Sequence, residues 1–155
     1  MANEVNPIPD DCATAAPYLC VNDAAAAIVF YKKAFGATEI YRLTEPGGKI
    51  GHAEIRIGRA VVILAGEYPD FGHRSPRSLG GTAVKIHLYV EDVDALVSSA
   101  YDAGAKILQP VKDEFYGARS GKLEDPFGHV WIIATRKHNV PTEEIQAQFA
   151  AFFKK

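Results

Sequence analysis

Cysteine is scarce: Cys12 and Cys20 are the only two in 155 residues. Neither stands at a spacing suited to zinc or to dithiol exchange, and both are expected as reduced thiols. No stretch of about 18 apolar residues could cross a bilayer, and Met1 to Asp10 lacks the basic start and apolar run of a secretory leader. A cytoplasmic location without membrane contact is expected. Seventeen Lys and Arg against nineteen Asp and Glu give a formal net charge of −2, with the signs interspersed. A phosphate backbone needs a dense basic stripe, so the composition gives no case for a nucleic-acid partner. Neither Gly-x-Ser-x-Gly nor Gly-x-x-x-x-Gly-Lys occurs, which leaves seryl and phosphate-loop chemistry without support. A small neutral or weakly charged ligand is the partner that these absences leave.

What the chain does contain is a repeat. Val21-Asn22-Asp23 opens an alanine-rich run that closes at Gly36-Ala37, and Val90-Glu91-Asp92 opens a second that closes at Gly104-Ala105. The starts are 69 positions apart (90 − 21) and the glycines 68 (104 − 36), while Glu54 and Gly58 recur 70 positions later as Glu124 and Gly128. That period is too long for a solenoid unit and fits two copies of one supersecondary module. With 48% hydrophobic side chains, residues 1–155 can build one domain around a substantial core.

Each copy has the same predicted order. A strand at Ala16 to Val21 leads to a helix capped by Asn22 or Asp23, whose side-chain oxygen can satisfy free amides. Ala24, Ile28, Tyr31 and Phe35 recur at helical intervals on one buried face, and the helix stops near Gly36. Strands follow at Glu39 to Leu43, Gly51 to Ile57 and Ala60 to Leu64, with Gly47-Gly48 and Gly58-Arg59 as turns. The second copy runs from a strand at Val84 to Val90, through a helix capped by Asp92 that buries Val93, Leu96, Val97 and Ala100, to strands near Lys106 to Val111, Ser120 to Glu124 and Val130 to Ala134. Each half is βαβββ. The first spans about residues 15–65 and the second about 82–135; the Gly-, Pro-, Ser- and Arg-rich connector 66–81 reads as mobile or as a lid. A last helix, about 142–154, is signalled by Thr142 as cap, Glu143 and Glu144 in the first turn, and Lys154 with Lys155 at the end. Ile145, Phe149, Phe152 and Phe153 form its apolar stripe, expected to pack on the domain or on a partner subunit.

Two βαβββ units, a Val-x-Asp before each helix, the Phe30-Tyr31-x-x-Ala34-Phe35-Gly36-Ala37 helix end and Asp125-Pro126-Phe127-Gly128-His129 before the last strand together resemble the vicinal oxygen chelate superfamily. Its members include glyoxalase I, bleomycin and fosfomycin resistance proteins and extradiol dioxygenases. Tyr116-Gly117-Ala118-Arg119 ahead of the Asp-Pro-Phe-Gly-His run is most similar to the PhnB-like branch. The resemblance covers roughly Ala15 to Ala134. It implies an α+β fold, with curved mixed sheets around a cavity and helices outside. It also implies a homodimer, since paired modules there commonly come from two chains. In the metal enzymes of the superfamily, ligands stand on the first and last strand of each module. The corresponding positions here are Ala16, Lys85, Val62 and Ile132. None donates in the ordinary way, since lysine would first have to lose a proton, and neither metal nor other cofactor is expected.

Strand alternation then defines a cavity face. If Ile55, Ile57, Ile86 and Leu88 face the helices, the other side carries His52, Glu54 and Arg56 on one strand and Lys85, His87 and Tyr89 on another. Tyr18 and Cys20 point the same way from the first strand, and the repeat carries His52 and Glu54 onto Lys122 and Glu124. Tyr116 and Arg119 flank a Gly-containing turn, where they gate the cavity or only decorate a loop. These residues are the candidate ligand contacts, aromatic from the tyrosines and charged from Arg56, the lysines and the glutamates.

Three functions fit. The first is a metal-independent small-molecule-binding protein of the glyoxalase and bleomycin-resistance type. The second is a metal-dependent lyase, isomerase or dioxygenase with a relocated His52, Glu54 and His87 site. The third is a metal-free enzyme in which His52 or Glu54 moves a proton. Each residue also has a plainer reading: His52 and Glu54 as solvated or paired with Arg56 and Lys122, His87 as a hydrogen-bonded filler, His129 as part of the fold.

Overall fold

The computed structural model describes residues 5–154. In chain order its elements are β1 (Tyr18–Cys20), α1 (Ala24–Phe35), β2 (Thr38–Thr44), β3 (Ile50–Ile57), β4 (Ala60–Ala65), a short 3-10 turn (Pro69–Phe71), α2 (Pro76–Leu79), β5 (Lys85–Tyr89), α3 (Val93–Asp102), β6 (Lys106–Asp113), β7 (Ala118–Glu124), β8 (Val130–Arg136) and α4 (Thr142–Ala151). The repeat is thus physical, with two βαβββ modules, one up to β4 and one from β5 to β8.

The long helices start alike because the same device starts them. Asp23 and Asp92 hold extended backbone, and each accepts a hydrogen bond at 3.0 Å from the amide three residues on, Ala26 and Ala95. Gly36 ends α1 in the left-handed region at φ +66°, where a side chain would be strained. Within each module the first strand pairs in parallel with the last, and the others follow antiparallel, giving the orders β1-β4-β3-β2 and β5-β8-β7-β6. The two α+β modules therefore form two mixed sheets, and β1 and β5 each lie at an edge of their own sheet.

One apolar cluster runs through both modules. Ala24, Ile28, Tyr31 and Phe35 of α1 are all buried, as are Val93, Val97 and Ala100 of α3, while Leu96 is half-buried. The helices meet where Ser99 donates to the Lys33 carbonyl at 3.2 Å. Rings from both halves interlock: Phe35 lies 4.7 Å and Tyr31 5.6 Å from Trp131, centre to centre. At the middle sits Asp125, which is 1% exposed. Its carboxylate accepts from the Tyr31 hydroxyl at 2.6 Å, the Trp131 indole at 2.9 Å, and the amides of Phe127 and His129 at 2.9 and 3.0 Å. A buried charge is tolerated when its lone pairs are met in this way. The Asp-Pro-Phe-Gly-His run is therefore a joint between the modules.

Three expectations need correction, and the packing expected of the α4 stripe is met only in small part by its own chain. The strand expected at Ala16 to Val21 is only Tyr18–Cys20. Helix α4 has Pro141, not Thr142, at its cap position, with no side-chain cap bond, and it ends at Ala151 before Lys154; Lys155 lies outside the described residues. Its stripe packs little on its own chain: Phe152 meets Phe115 at 5.2 Å, but Phe149, Phe152 and Phe153 are exposed. The connector is tied down. Glu67 accepts from the Ser75 amide at 2.7 Å, Arg77 reaches the Pro126 carbonyl at 3.1 Å and Glu124 at 3.2 Å, and Ser75 and Pro76 are buried.

Candidate functional site

The faces divide as alternation requires. Ala53, Ile55 and Ile57 of β3 are buried, while His52, Glu54 and Arg56 between them are half-buried on the other side. Along β5, Ile86 and Leu88 lean on the core and Lys85, His87 and Tyr89 stand exposed. Pairing register extends these faces across the sheets. Tyr18 lies opposite Ile63, Ile63 opposite Glu54, and Glu54 opposite Tyr41. In the second sheet the row is His87, Ile132, Lys122 and Gln109.

Comparing the two rows corrects the alignment by repeat. Glu54 corresponds to Lys122, an offset of 68 (122 − 54), not to Glu124. The slip is two residues, so the assigned face survives and only the partner changes. One of the two residues lies in the turn before β8, since Ile63 and Ile132 stand 69 apart (132 − 63), one more than the strands before them; the other comes from matching Gly58 to Gly128, 70 apart (128 − 58), inside that turn. Val62 likewise pairs with Ile55 and is 2% exposed, facing the helices. Ile63 is the residue that faces outward. The substitution leaves that position as unable to hold a cation as before.

On the first sheet the candidates come together. His52 Nε2 lies 3.3 Å from Glu54 Oε1, and the same oxygen accepts from the Tyr41 hydroxyl at 3.0 Å. That hydrogen bond to the carboxylate, with partial desolvation, raises the Tyr41 phenol's pKa above its ordinary value, so Tyr41 remains a donor at neutral pH. The Tyr18 ring stands edge-on to His52 at 6.1 Å and to His73 at 5.3 Å, and the Tyr41 ring covers His52 at 5.6 Å. Arg56 turns away, donating to the Asp11 carbonyl at 3.3 Å. Tyr41 and His73 were not among the sequence candidates. Alternation along β2 does not reach Tyr41 because a register shift falls between Glu39 and Tyr41, and His73 comes from the connector.

On the second sheet the candidates are scattered. His87 packs edge-on to Tyr89 at 4.5 Å, and both line a groove of about 840 Å³ between the modules with Phe35, Ile57, Arg59 and Arg136. Lys122 lies in the row already described, and Glu124 is engaged by Arg77. Arg119 is on the helix side of β7, opposite Thr135, where it holds Asp94 at 2.7 and 2.9 Å and Asp113 at 3.2 Å. Tyr116 packs against Phe115 at 5.2 Å, beside α4. Neither is brought to the polar face.

A divalent ion would need donors converging on one point. The register leaves Ile63, Ile132 and Lys85 at the positions where the resemblance places ligands, and no group of three His, Cys, Asp or Glu among the described residues could hold one. His52 and Glu54 are together, but His87 belongs to the other sheet. The donor set does not fit a metal within the chain.

A duplicated βαβββ unit with two mixed sheets is the architecture of the vicinal oxygen chelate fold. A sequence profile described as the Glyoxalase/Bleomycin resistance protein/Dioxygenase superfamily matches residues 11–133, and the chain belongs to that superfamily. Among its relatives, the uncharacterized protein Mb0911c of Mycobacterium bovis is 45% identical over 138 residues, spanning 87% of this chain and 91% of its own. The Arabidopsis thaliana protein At5g48480 is 33% identical over 127 residues, 76% of this chain and 74% of that protein. Its X-ray structure superposes with a TM-score of 0.64 over 79% of this chain and 98% of that one, at 28% identity. TioX from Micromonospora sp. ML1 superposes with a TM-score of 0.66, at 25% identity, over 80% of this chain and 98% of its own. No helix among the described residues is long and apolar enough to cross a membrane.

Proposed function

We propose that this protein binds a polar or aromatic small molecule without a metal ion, on the polar faces of its two sheets, in the manner of the glyoxalase and bleomycin-resistance type. One observation carries the reading. The outward positions where a metal enzyme of this fold would keep ligands hold Ile63, Ile132 and Lys85, while Tyr18, Tyr41, His52 and Glu54 make a linked polar and aromatic surface around Ile63 on the first sheet. We place the protein in the cytoplasm and assign it to the PhnB-like branch on the turn preceding β7. A homodimer accounts for two further features: β1 and β5 are edge strands, and Tyr18, Val84 and Tyr89 beside them are exposed. A second copy would cover both faces and close the cavity.

The test is metal analysis of protein purified without added metal, followed by titration with nickel, zinc, manganese and iron and by thermal shifts against aromatic antibiotics, thiol adducts of methylglyoxal and phosphonates. Stabilisation that survives chelator supports the reading. Stoichiometric uptake of a divalent ion would overturn it. A mass of one chain by light scattering at working concentration would remove the dimer.

A second reading rests on the hydrogen-bonded series Tyr41, Glu54, His52, which could take up and pass on a proton. Turnover that persists in chelator and disappears in Glu54→Gln would favour it over simple binding.

A further inference from the structure

The geometry points to an organic cation, a quaternary or protonated amine, as the class of ligand taken by the face of the first sheet; this rests on the binding reading above. Four rings stand in sequence there, Tyr41, His52, Tyr18 and His73, with neighbouring centres 5.3 to 6.1 Å apart. Tyr41 and His52 are inclined by only 31° and make one wall. Tyr18 stands at 68° to His52 and at 89° to His73, so the next two walls turn corners. Tyr18 and Tyr41 are 52% and 42% exposed, which leaves much of their ring surface uncovered by the chain itself.

Charge selects the occupant. The faces of Tyr18 and Tyr41 carry negative potential and attract a cation that has shed part of its water. The Glu54 carboxyl group, between Tyr41 and His52, places an acid beside the rings. The neighbouring cations are engaged with the chain: Arg56 with the Asp11 carbonyl at 3.3 Å, Arg74 with the Ser78 carbonyl at 2.9 Å, and Lys49 with the Glu67 carbonyl. The chain also supplies its own precedent, where the Lys49 ammonium sits 3.6 Å from the centre of the Tyr68 ring. Tyr18 and His73 also line a recess of about 320 Å³ with Cys20, Arg74, Pro76 and His129, room enough for the substituents of a small ammonium ion once the Arg74 guanidinium is held by the Ser78 carbonyl. The second sheet turns Lys85 and Lys122 outward, its Glu124 is paired with Arg77, and its rings on that face stop at the His87–Tyr89 pair.

The experiment is an amide and aromatic NMR titration of the full chain with choline, with 3,3-dimethylbutanol as its neutral carbon counterpart, and with benzenesulfonate as an anion. Choline is expected to perturb Tyr18, Tyr41 and His52 and to bind at least tenfold more tightly than the alcohol. Glu54→Gln should weaken choline fivefold or more and leave the alcohol unchanged, and Tyr18→Leu should weaken choline with Glu54 intact; dispersed amide spectra establish that both variants are folded. Equal binding of choline and the alcohol, preference for benzenesulfonate, or equal weakening of choline and the alcohol by Glu54→Gln overturns the cation and leaves small-molecule binding standing. If no probe perturbs this face, the cation is overturned; if the antibiotic, adduct and phosphonate panel also fails, the binding reading falls with it.

Discussion

Replacing Tyr31 with phenylalanine removes one oxygen and leaves the ring that packs on Phe35 and Trp131. That oxygen donates to Asp125 at 2.6 Å, and both residues are almost fully buried, at 0% and 1% exposure. A hydrogen bond to a charged group contributes about 1.5–3 kcal/mol, and water has no route to replace it here. For a chain of this size each kcal/mol moves the melting temperature by roughly 2–4 °C, so Tyr31→Phe should melt roughly 3–12 °C below the parent. Asp125→Ala goes further, because it strands the Trp131 indole, the Tyr31 hydroxyl and two backbone amides at once. A buried donor left unsatisfied costs about 1–3 kcal/mol, and with several stranded together this variant should be the less stable of the two. Calorimetry at one fixed protein concentration measures both, since any self-association shifts melting with concentration. The double variant should cost less than the sum of the singles, because each removes the same bond. A Tyr31→Phe protein that melts within 2 °C of the parent, or strict additivity, would refute the joint between the modules.

Gly117→Ala should cost about 2 kcal/mol or more in urea unfolding: the residue sits at φ +89°, and a Cβ there would lie 2.5 Å from the His138 carbonyl oxygen; an unchanged midpoint would contradict this. Glu67 is held at a pKa of about 2, first by the Ser78 hydroxyl and then by the amide and hydroxyl of Ser75. Its folded value lies below its unfolded one, so its contribution is present above about pH 4.5 and is lost as pH falls towards 2. Melting curves across that window should slope less for Glu67→Gln than for the parent, and equal slopes would exclude the assignment. Burial, then the nearby Glu67 charge, pushes the Cys20 thiol up to about 11, leaving on the order of one thiolate in a thousand at pH 8. Iodoacetamide should therefore label Cys12 well before Cys20, read by peptide mass; equal labelling would refute it.

The α+β fold was legible because its signals are local and doubled. Asp23 and Asp92 are caps whose position any reader of the chain can find, and β3 alternates strictly from Ala53 to Ile57. The polar face followed from the same parity, so a slip of two residues between Glu124 and Lys122 did no harm to it. What stayed hidden depends on contacts between distant segments. Tyr41 reaches Glu54 only through a strand whose register shifts on the way, and Arg119 is claimed by Asp94 across a helix–sheet contact. The ties of the connector, Ser75 to Glu67 and Arg77 to Pro126, likewise have no mark in the local composition, which reads as loop. For α4 the stripe was readable and its packing was not, since Phe149 and Phe153 stay largely uncovered.

Duplication ordinarily yields halves that can be separated again, each sufficient to itself. Here the carboxylate of Asp125 belongs to one half and the phenol of Tyr31 to the other, while the first half has only the short Gly58-Arg59 turn where the second has its acid-centred one. Divergence has placed the acid in one copy and one of its donors in the other, so cutting the halves apart would strip Asp125 of the Tyr31 hydroxyl and leave it to the donors of its own half.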